Sequence, residues 1–427
     1  MGKIRQALSI VVFCILLFFV VYKTSHLLEY KDSQREYQAF YDCDTDIDVL
    51  FLGTSHMYNS VFPQVLWDEY GITSYNWGYS NCTVPINYYL VQELIKEKRP
   101  QIVVLDLFGL TQYEELGNGK YRSDRLEQQH VQFDIVPLSM NKYYAAKDIF
   151  DDYDGYMDFC FDFIKYHNRW EEIGESDFDI TYSTEKGAAM LVGHASRADY
   201  VPFSDTSFFV NELAYTVDTD LSQTTCYQYL LSMLEYCSSN NITLLCTYLP
   251  YPAESNEQLE AYVLADVINS YEGCYYVDMV EPPYLNGIDM ETDIFSDGSH
   301  LNYSGGYKTS MMLGEILTES FGVISHKDQP EYSSWDLSYN EFVDYKADMI
   351  SGRDNLIEML MLMQGNDFSM SIVENVESEV IENDSVAMKY IGQMPSNIAF
   401  SKADIDAEYI VNVYRLSTGE EICSKSF

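Results

Sequence analysis

Five short apolar runs, each followed by a stretch with helical character, constrain this chain more than any other feature. They are "DVLFL" from Asp48, "GITSYNWG" from Gly71, "QIVVLDLFGL" from Gln101, "NITLLCTYLP" from Asn241 and "CYYVDMV" from Cys274. Helical patterns fall at Gln64 to Tyr70, Asn87 to Lys98, around Thr225 to Cys237 and near Asn256 to Tyr271. An unbroken apolar run of strand length suits a strand buried on both faces, as in a parallel sheet. Strands separated by helices pair in parallel through right-handed crossovers. The pattern therefore predicts an open, flavodoxin-like parallel α/β sheet with helices on both faces. Chemistry is expected beyond the carboxyl ends of its strands.

The flanking segments divide the chain further. Lys3 and Arg5 precede "QALSIVVFCILLFFVVY", an uncharged run from Gln6 to Tyr22 that Lys23 closes. At about 1.5 Å per residue such a helix just crosses a hydrocarbon core. No small-x-small cleavage site follows it, since Tyr22, Lys23 and His26 occupy that region. The expectation is an uncleaved signal anchor with the N-terminus inside and the remainder outside the cytoplasm. Residues 1–45 are read as stub, anchor and a polar helical stalk, and 46–326 as the α/β domain. Within the latter, about 111–220 form an aromatic and acidic insertion, expected to be a cap or helical lid. Residues 327–427 are read as a small, β-rich accessory domain without chemistry, in which "STGE" makes a hairpin turn.

Charge removes several function classes. With 67 acidic and 25 basic residues the formal net charge is -42, so the chain lacks the basic patch that grips nucleic acid phosphates. The same surface repels anionic lipid headgroups. The 38 tyrosines suit an aromatic surface for carbohydrate as well as an ordinary core. None of the nine cysteines has CxxC spacing, and pairing among them stays open. The seven histidines show no HxxxH spacing, and "NGIDMETD" around Asp289 is acidic but lacks the ligand spacing of an EF-hand loop. No metal or other cofactor is expected.

One turn carries a candidate nucleophile. Ser55, in "FLGTSH", follows the first strand and opens the next helix, where backbone amides and the positive helix end serve an oxyanion. Taken alone, a serine here is more often a helix N-cap. The sequence also supplies partners: "FSDGSHLNYSGGYK" places Asp297 three residues before His300, after the fifth strand. A carboxylate so placed can accept the imidazole Nδ1 proton and leave Nε2 to take a proton from serine. His56, beside Ser55, points elsewhere on the first helical turn and is read as a structural or pocket residue. For His167 and Arg169, in "YHNRW", a salt-bridged structural role is one expectation.

Together "FLGTSH", "YNWGYS", "KRPQIVVLDLFGL" and "FSDGSHLNYSGGY" resemble the blocks of the SGNH (GDSL-like) hydrolase superfamily over roughly Asp46 to Gly322. The GTSH and DxxHLN variants are most similar to its membrane-anchored branch. That branch includes the D-alanyl-transfer protein of teichoic acid synthesis and the alginate O-acetylation proteins. The resemblance implies Ser55 as nucleophile, His300 as general base and Asp297 as its orienter, with the Ser55 and Gly78 amides in the oxyanion hole. His56 and the "YHNRW" pair, His167 and Arg169, then fall among the substrate-binding residues. The superfamily's third block carries an asparagine donor, whereas this chain has "LDLFGLTQY", and an ionised Asp106 cannot donate. Asn76 and Asn81, flanking Gly78, are the stand-ins.

Two functions follow as expectations. The first is an extracytoplasmic serine acyltransferase or esterase that transfers or removes O-acyl groups, acetyl or D-alanyl, on a cell-envelope or exopolysaccharide glycan. A membrane-bound O-acyltransferase would be its partner. The second is a non-catalytic, glycan-binding surface protein with an SGNH-like domain.

Overall fold

The computed structural model describes residues 2–28, 40–80, 82–112, 131–134, 136–150, 153–178, 224–253, 263–295 and 297–427. Strands β1 (Val49–Leu52), β2 (Ser74–Asn76), β3 (Ile102–Asp106), β4 (Thr243–Tyr248) and β5 (Cys274–Asp278) form one sheet in the order β2-β1-β3-β4-β5. All four neighbouring pairs are parallel. This is the flavodoxin-like open α/β sheet that the apolar runs predict. Every residue of β1 and β3 is buried, because helices cover both faces and no solvent face asks for polar alternation.

The order reverses at β1, whose neighbours β2 and β3 follow it on opposite sides, so a crevice opens beyond its carboxyl end. The short helix α2 (Ser55–Ser60) starts there. Helix α3 (Pro63–Tyr70) has proline at its first position, which lacks the N–H that would have no acceptor anyway. It ends at Gly71, whose φ of 69° is left-handed. A Cβ at Gly71 would fall 2.0 Å from Ser325 Oγ, so glycine is required by space as well as conformation. Helices α4 (Val84–Glu97) and α5 (Met140–Ile149) come next, followed by α6 (Tyr153–Cys160) and α7 (Asp162–Tyr166).

The described part of the insertion is helical, and its α5 docks on α4. Asn141 Nδ2 donates to the Tyr89 carbonyl at 2.9 Å and Ser139 Oγ to Glu93 at 3.1 Å, fixing α5 against α4. Helix α7 and the 3₁₀ turn His167–Glu171 pack instead around the end of α1 (Gly2–Leu28). The helix expected near Asn256 lies partly outside the described residues, as does most of the stalk. Among the described residues, one helix is long and apolar enough to cross a membrane, Gly2–Ser25.

After α8 (Thr225–Ser239), β4, β5 and α9 (Tyr303–Glu315), the chain forms α10 (Ser333–Ser351) and α11 (Leu356–Leu362). The chain breaks between the two helices, where Asn355 caps α11 by accepting from Ile357 N at 2.8 Å. A second sheet of β6 (Phe368–Asn375), β7 (Ile398–Ala403), β8 (Tyr409–Arg415) and β9 (Glu421–Ser426) has the order β7-β6-β8-β9 and is mixed. Strand β6 alternates buried and half-buried residues, the mark of a sheet covered on one face. Helix α12 (Ser385–Gln393) precedes β7, and the "STGE" hairpin joins β8 to β9. The core of this C-terminal part also takes in Phe62, Val65 and Tyr303, so it is continuous with α3 and α9 and is not a free appendage. All nine cysteines are free thiols; Cys246 on β4, Cys274 on β5 and Cys237 on α8 are buried.

Candidate active site

The turn after β1 is built from backbone that side chains lock in place. Thr54 caps α2 by accepting from His56 N at 3.2 Å, and its hydroxyl donates to Asp106 Oδ2 at 3.4 Å. Ser55 is the first helical residue, a position whose N–H has no acceptor within the helix. A Cβ at Gly53 would lie 2.8 Å from Asp106 Cβ, so the glycine is what lets the turn close over the end of β3. Asp106 is fully buried, which pushes its carboxyl up to about 7 even though Phe108 N, Leu249 N and Thr54 donate to it.

The second element is a tight hairpin between β5 and α9. Ile294 bridges Leu301 in antiparallel fashion, and Phe295 N donates to the His300 carbonyl at 2.8 Å. At its tip Asp297 Oδ1 accepts from the backbone N–H groups of Ser299 and His300, each at 3.0 Å. Asp297 Oδ2 accepts from His300 Nδ1 at 2.7 Å, and Ser299 Oγ lies 3.0 Å from the same nitrogen. Burial alone would raise the Asp297 carboxyl; the bond from the His300 ring and the two backbone donors outweigh it and hold the group well below the usual carboxylate range.

The two elements meet: Ser55 Oγ lies 2.7 Å from His300 Nε2. Helix α9 enforces this approach, because its Gly306 packs so close to α2 that a Cβ there would sit 2.6 Å from the Asn59 carbonyl oxygen and 2.4 Å from Phe62 Cζ. Asn302 caps α9 by accepting from Gly305 N at 3.2 Å, setting where the helix begins relative to His300. Ser55, His300 and Asp297 thus form a continuous hydrogen-bonded relay at the sheet edge where the sequence pattern puts them.

The other expected site residues are placed differently. His56 is 2% exposed and stacks on Phe108 with ring centroids 3.5 Å apart. It also meets Tyr251 edge-on and lies 4.8 Å from the His300 ring, forming a wall beside the relay. Asn76 is a brace: its Nδ2 donates to the carbonyls of Met57 and Val61 at 3.1 and 2.9 Å. Its Oδ1 accepts from Gly78 N at 2.9 Å. The Asn76 amide and the Gly78 N–H are thus engaged with one another and with α2, and a Cβ at Gly78 would lie 3.0 Å from the Thr54 carbonyl oxygen. The Ser55 amide is the donor left from the expected set, and Asn81 lies outside the described residues.

His167 and Arg169 are not brought to the serine. The His167 ring Nδ1 pairs with the Ile164 carbonyl at 2.6 Å. Arg169 pairs with the buried Asp177 at 2.9 Å and with Glu172 at 3.6 Å, and it donates to the Leu28 carbonyl at the end of α1. Of the two expectations for this motif, the ion pair is the one whose partners lie among the described residues. The "NGIDMETD" acids are likewise engaged by lysines, Asp289 by Lys389 and Asp293 by Lys308. Among the described residues no group of three or more His, Cys, Asp or Glu side chains gathers as a metal site. Ser299 and Asp106 were not marked as site residues by any spacing, because their roles depend on which loops meet.

No family model and no curated protein sequence matches the chain. Solved structures that it resembles include a family 3 carbohydrate esterase from Clostridium thermocellum, at 11% identity over 65% of this chain and 97% of that one, with a TM-score of 0.31. A structure from Desulfitobacterium hafniense described under the G-D-S-L lipolytic family shares 12% identity over 64% of this chain and 100% of that one, with a TM-score of 0.29. At such identities and scores, the likeness bears on neither substrate nor mechanism.

Proposed function

We propose that this protein is a serine esterase or acyltransferase of the SGNH type that works through an acyl-Ser55 intermediate. The observation that carries this is the unbroken relay from Ser55 Oγ through His300 to Asp297, both links 2.7 Å long. Ser55 Oγ attacks the ester carbonyl carbon as its proton passes to His300 Nε2, and Asp297 stabilises the imidazolium that forms. The tetrahedral intermediate expels the alcohol oxygen, which takes the proton from Nε2. A water or a sugar hydroxyl then repeats the sequence in reverse, giving hydrolysis or transfer. The Ser55 amide serves the oxyanion in each half.

The substrate we propose is an O-acetyl or O-D-alanyl ester on a cell-envelope or exopolysaccharide glycan. Helix α1 acts in this scheme as a single-pass anchor with the N-terminus inside, which places the site at the polymer outside the cytoplasm. A membrane-bound O-acyltransferase would deliver acyl groups to it. One observation favours a second function, a non-catalytic glycan binder: the Gly78 amide is already bonded to Asn76. A serine-reactive fluorophosphonate, applied to the full chain in membranes, discriminates. Label that appears in the wild type and vanishes in Ser55→Ala supports the enzyme; absence of label and of ester cleavage would falsify it. Incubation with an acylated donor and a glycan acceptor then separates transfer from hydrolysis by product mass.

A further inference from the structure

The hairpin that carries Asp297 and His300 is held from outside the parallel sheet, by α9 and by the C-terminal part of the chain. Its stem is first tied to α9: Asn302 Nδ2 donates to the Thr292 carbonyl at 2.8 Å, and Asn302 N to the Asp293 carbonyl at 2.9 Å. Asp293 is fully buried and accepts from Lys308 Nζ at 2.7 Å and Ser304 Oγ at 2.8 Å. Helix α12 then presses on the same stem. Tyr390, with no exposed surface, donates its hydroxyl to the Thr292 carbonyl, and Lys389 Nζ reaches Asp289 at 2.9 Å and Glu291 at 2.5 Å. Gln393, on the last turn of α12, accepts from Lys308 at 3.3 Å, and Gln364 donates to Ser304 at 3.0 Å.

Every one of these groups lies within the stretch 289–308 or bonds directly to it, and that stretch contains both relay partners of Ser55. We infer that α12 positions the Asp297–His300 hairpin for reaction, with Lys389 and Tyr390 as positioning residues that act through Asp289, Glu291 and Thr292. This rests on the relay's being catalytic. The physical reason is that a proton relay depends steeply on placement: a misplacement of about 1 Å can cost about a hundredfold in rate. Hairpin backbone with solvent on one side has little of its own to prevent such a shift. The C-terminal part is thus an intramolecular brace, which accounts for its shared core with α3 and α9.

The test uses full-length protein carrying Lys389→Glu, Lys389→Arg or Tyr390→Phe. Fluorophosphonate labelling of Ser55 is followed as a function of reagent concentration, alongside thermal unfolding and hydrogen exchange of residues 289–302. Lys389→Glu should lower the limiting labelling rate about tenfold or more with half-saturation unchanged, Tyr390→Phe should lower it several-fold, and Lys389→Arg should restore it. Exchange across 289–302 should quicken in the two impaired variants. Labelling that stays at the wild-type rate in both, or a loss that Lys389→Arg fails to rescue, overturns the inference. Failure of the wild type to label counts against the enzymatic function instead; the brace is then decided by exchange, and unchanged exchange in both variants overturns it.

Discussion

His300 Nε2 stands 2.7 Å from Ser55 Oγ although 245 positions separate the two in sequence. That contact underlies the nucleophile role proposed for Ser55, and it gives the first prediction. Ser55→Ala and His300→Ala should each lower ester cleavage by about a thousandfold or more while the unfolding temperature stays near wild type. Values of kcat/KM for each variant on an aryl acetate will read the loss.

Asp297 is engaged through both oxygens, so its loss should act through the orientation of His300. Asp297→Asn should reduce kcat by about a hundred- to ten-thousandfold with little change in KM. Because its carboxyl is held low in the folded state, it contributes stability above the usual carboxylate range that is lost as pH falls below it. Acid unfolding of Asp297→Asn should therefore begin from a lower stability at neutral pH and slope less steeply than wild type. Equal slopes would rule out this contribution.

Asp106 has the opposite sign. Burial raises it to about 7, so between about 4, where the unfolded chain ionises, and 7 the native state holds the extra proton. Its contribution to stability should fall as pH rises through that window and level off above it. Denaturant titrations across the window should show a flatter dependence in Asp106→Asn, which keeps an acceptor for Phe108 N and Leu249 N.

Gly306→Ala should damage the site through packing. The added methyl would meet backbone and the Phe62 ring at less than contact distance, forcing α9 away from α2. The expected cost is about 1–3 kcal/mol in stability, with a fall in labelling of Ser55 that exceeds what unfolding explains. Calorimetry with active-site titration separates the two.

Arg169→Ala should leave chemistry nearly untouched. It strands the buried Asp177 and releases the Leu28 carbonyl, so the loss should appear as faster proteolysis within 153–178, about 3–5 kcal/mol in local stability. A selective loss of kcat with unchanged proteolysis would instead return Arg169 to the substrate cleft.

The parallel sheet was legible because β1 and β3 are buried on both faces and so appear as unbroken apolar runs, while glycine, proline and hydroxyl residues mark where helices α2 and α3 start and stop. Ser55, Asp297 and His300 could be named for the same reason: each follows a strand whose end must lie at one edge. Local pattern carries no record of the long-range bonds that decide the rest. It could not tell that Asn76 would be spent on Met57, Val61 and Gly78, that Arg169 would choose Asp177, or that Lys389 and Tyr390 would grip the hairpin's stem from about a hundred residues away. Side-chain periodicity is fixed by neighbours in the chain, and thus by the sequence itself; which donor meets which acceptor is fixed by the packing of distant elements, and only the tertiary structure decides it.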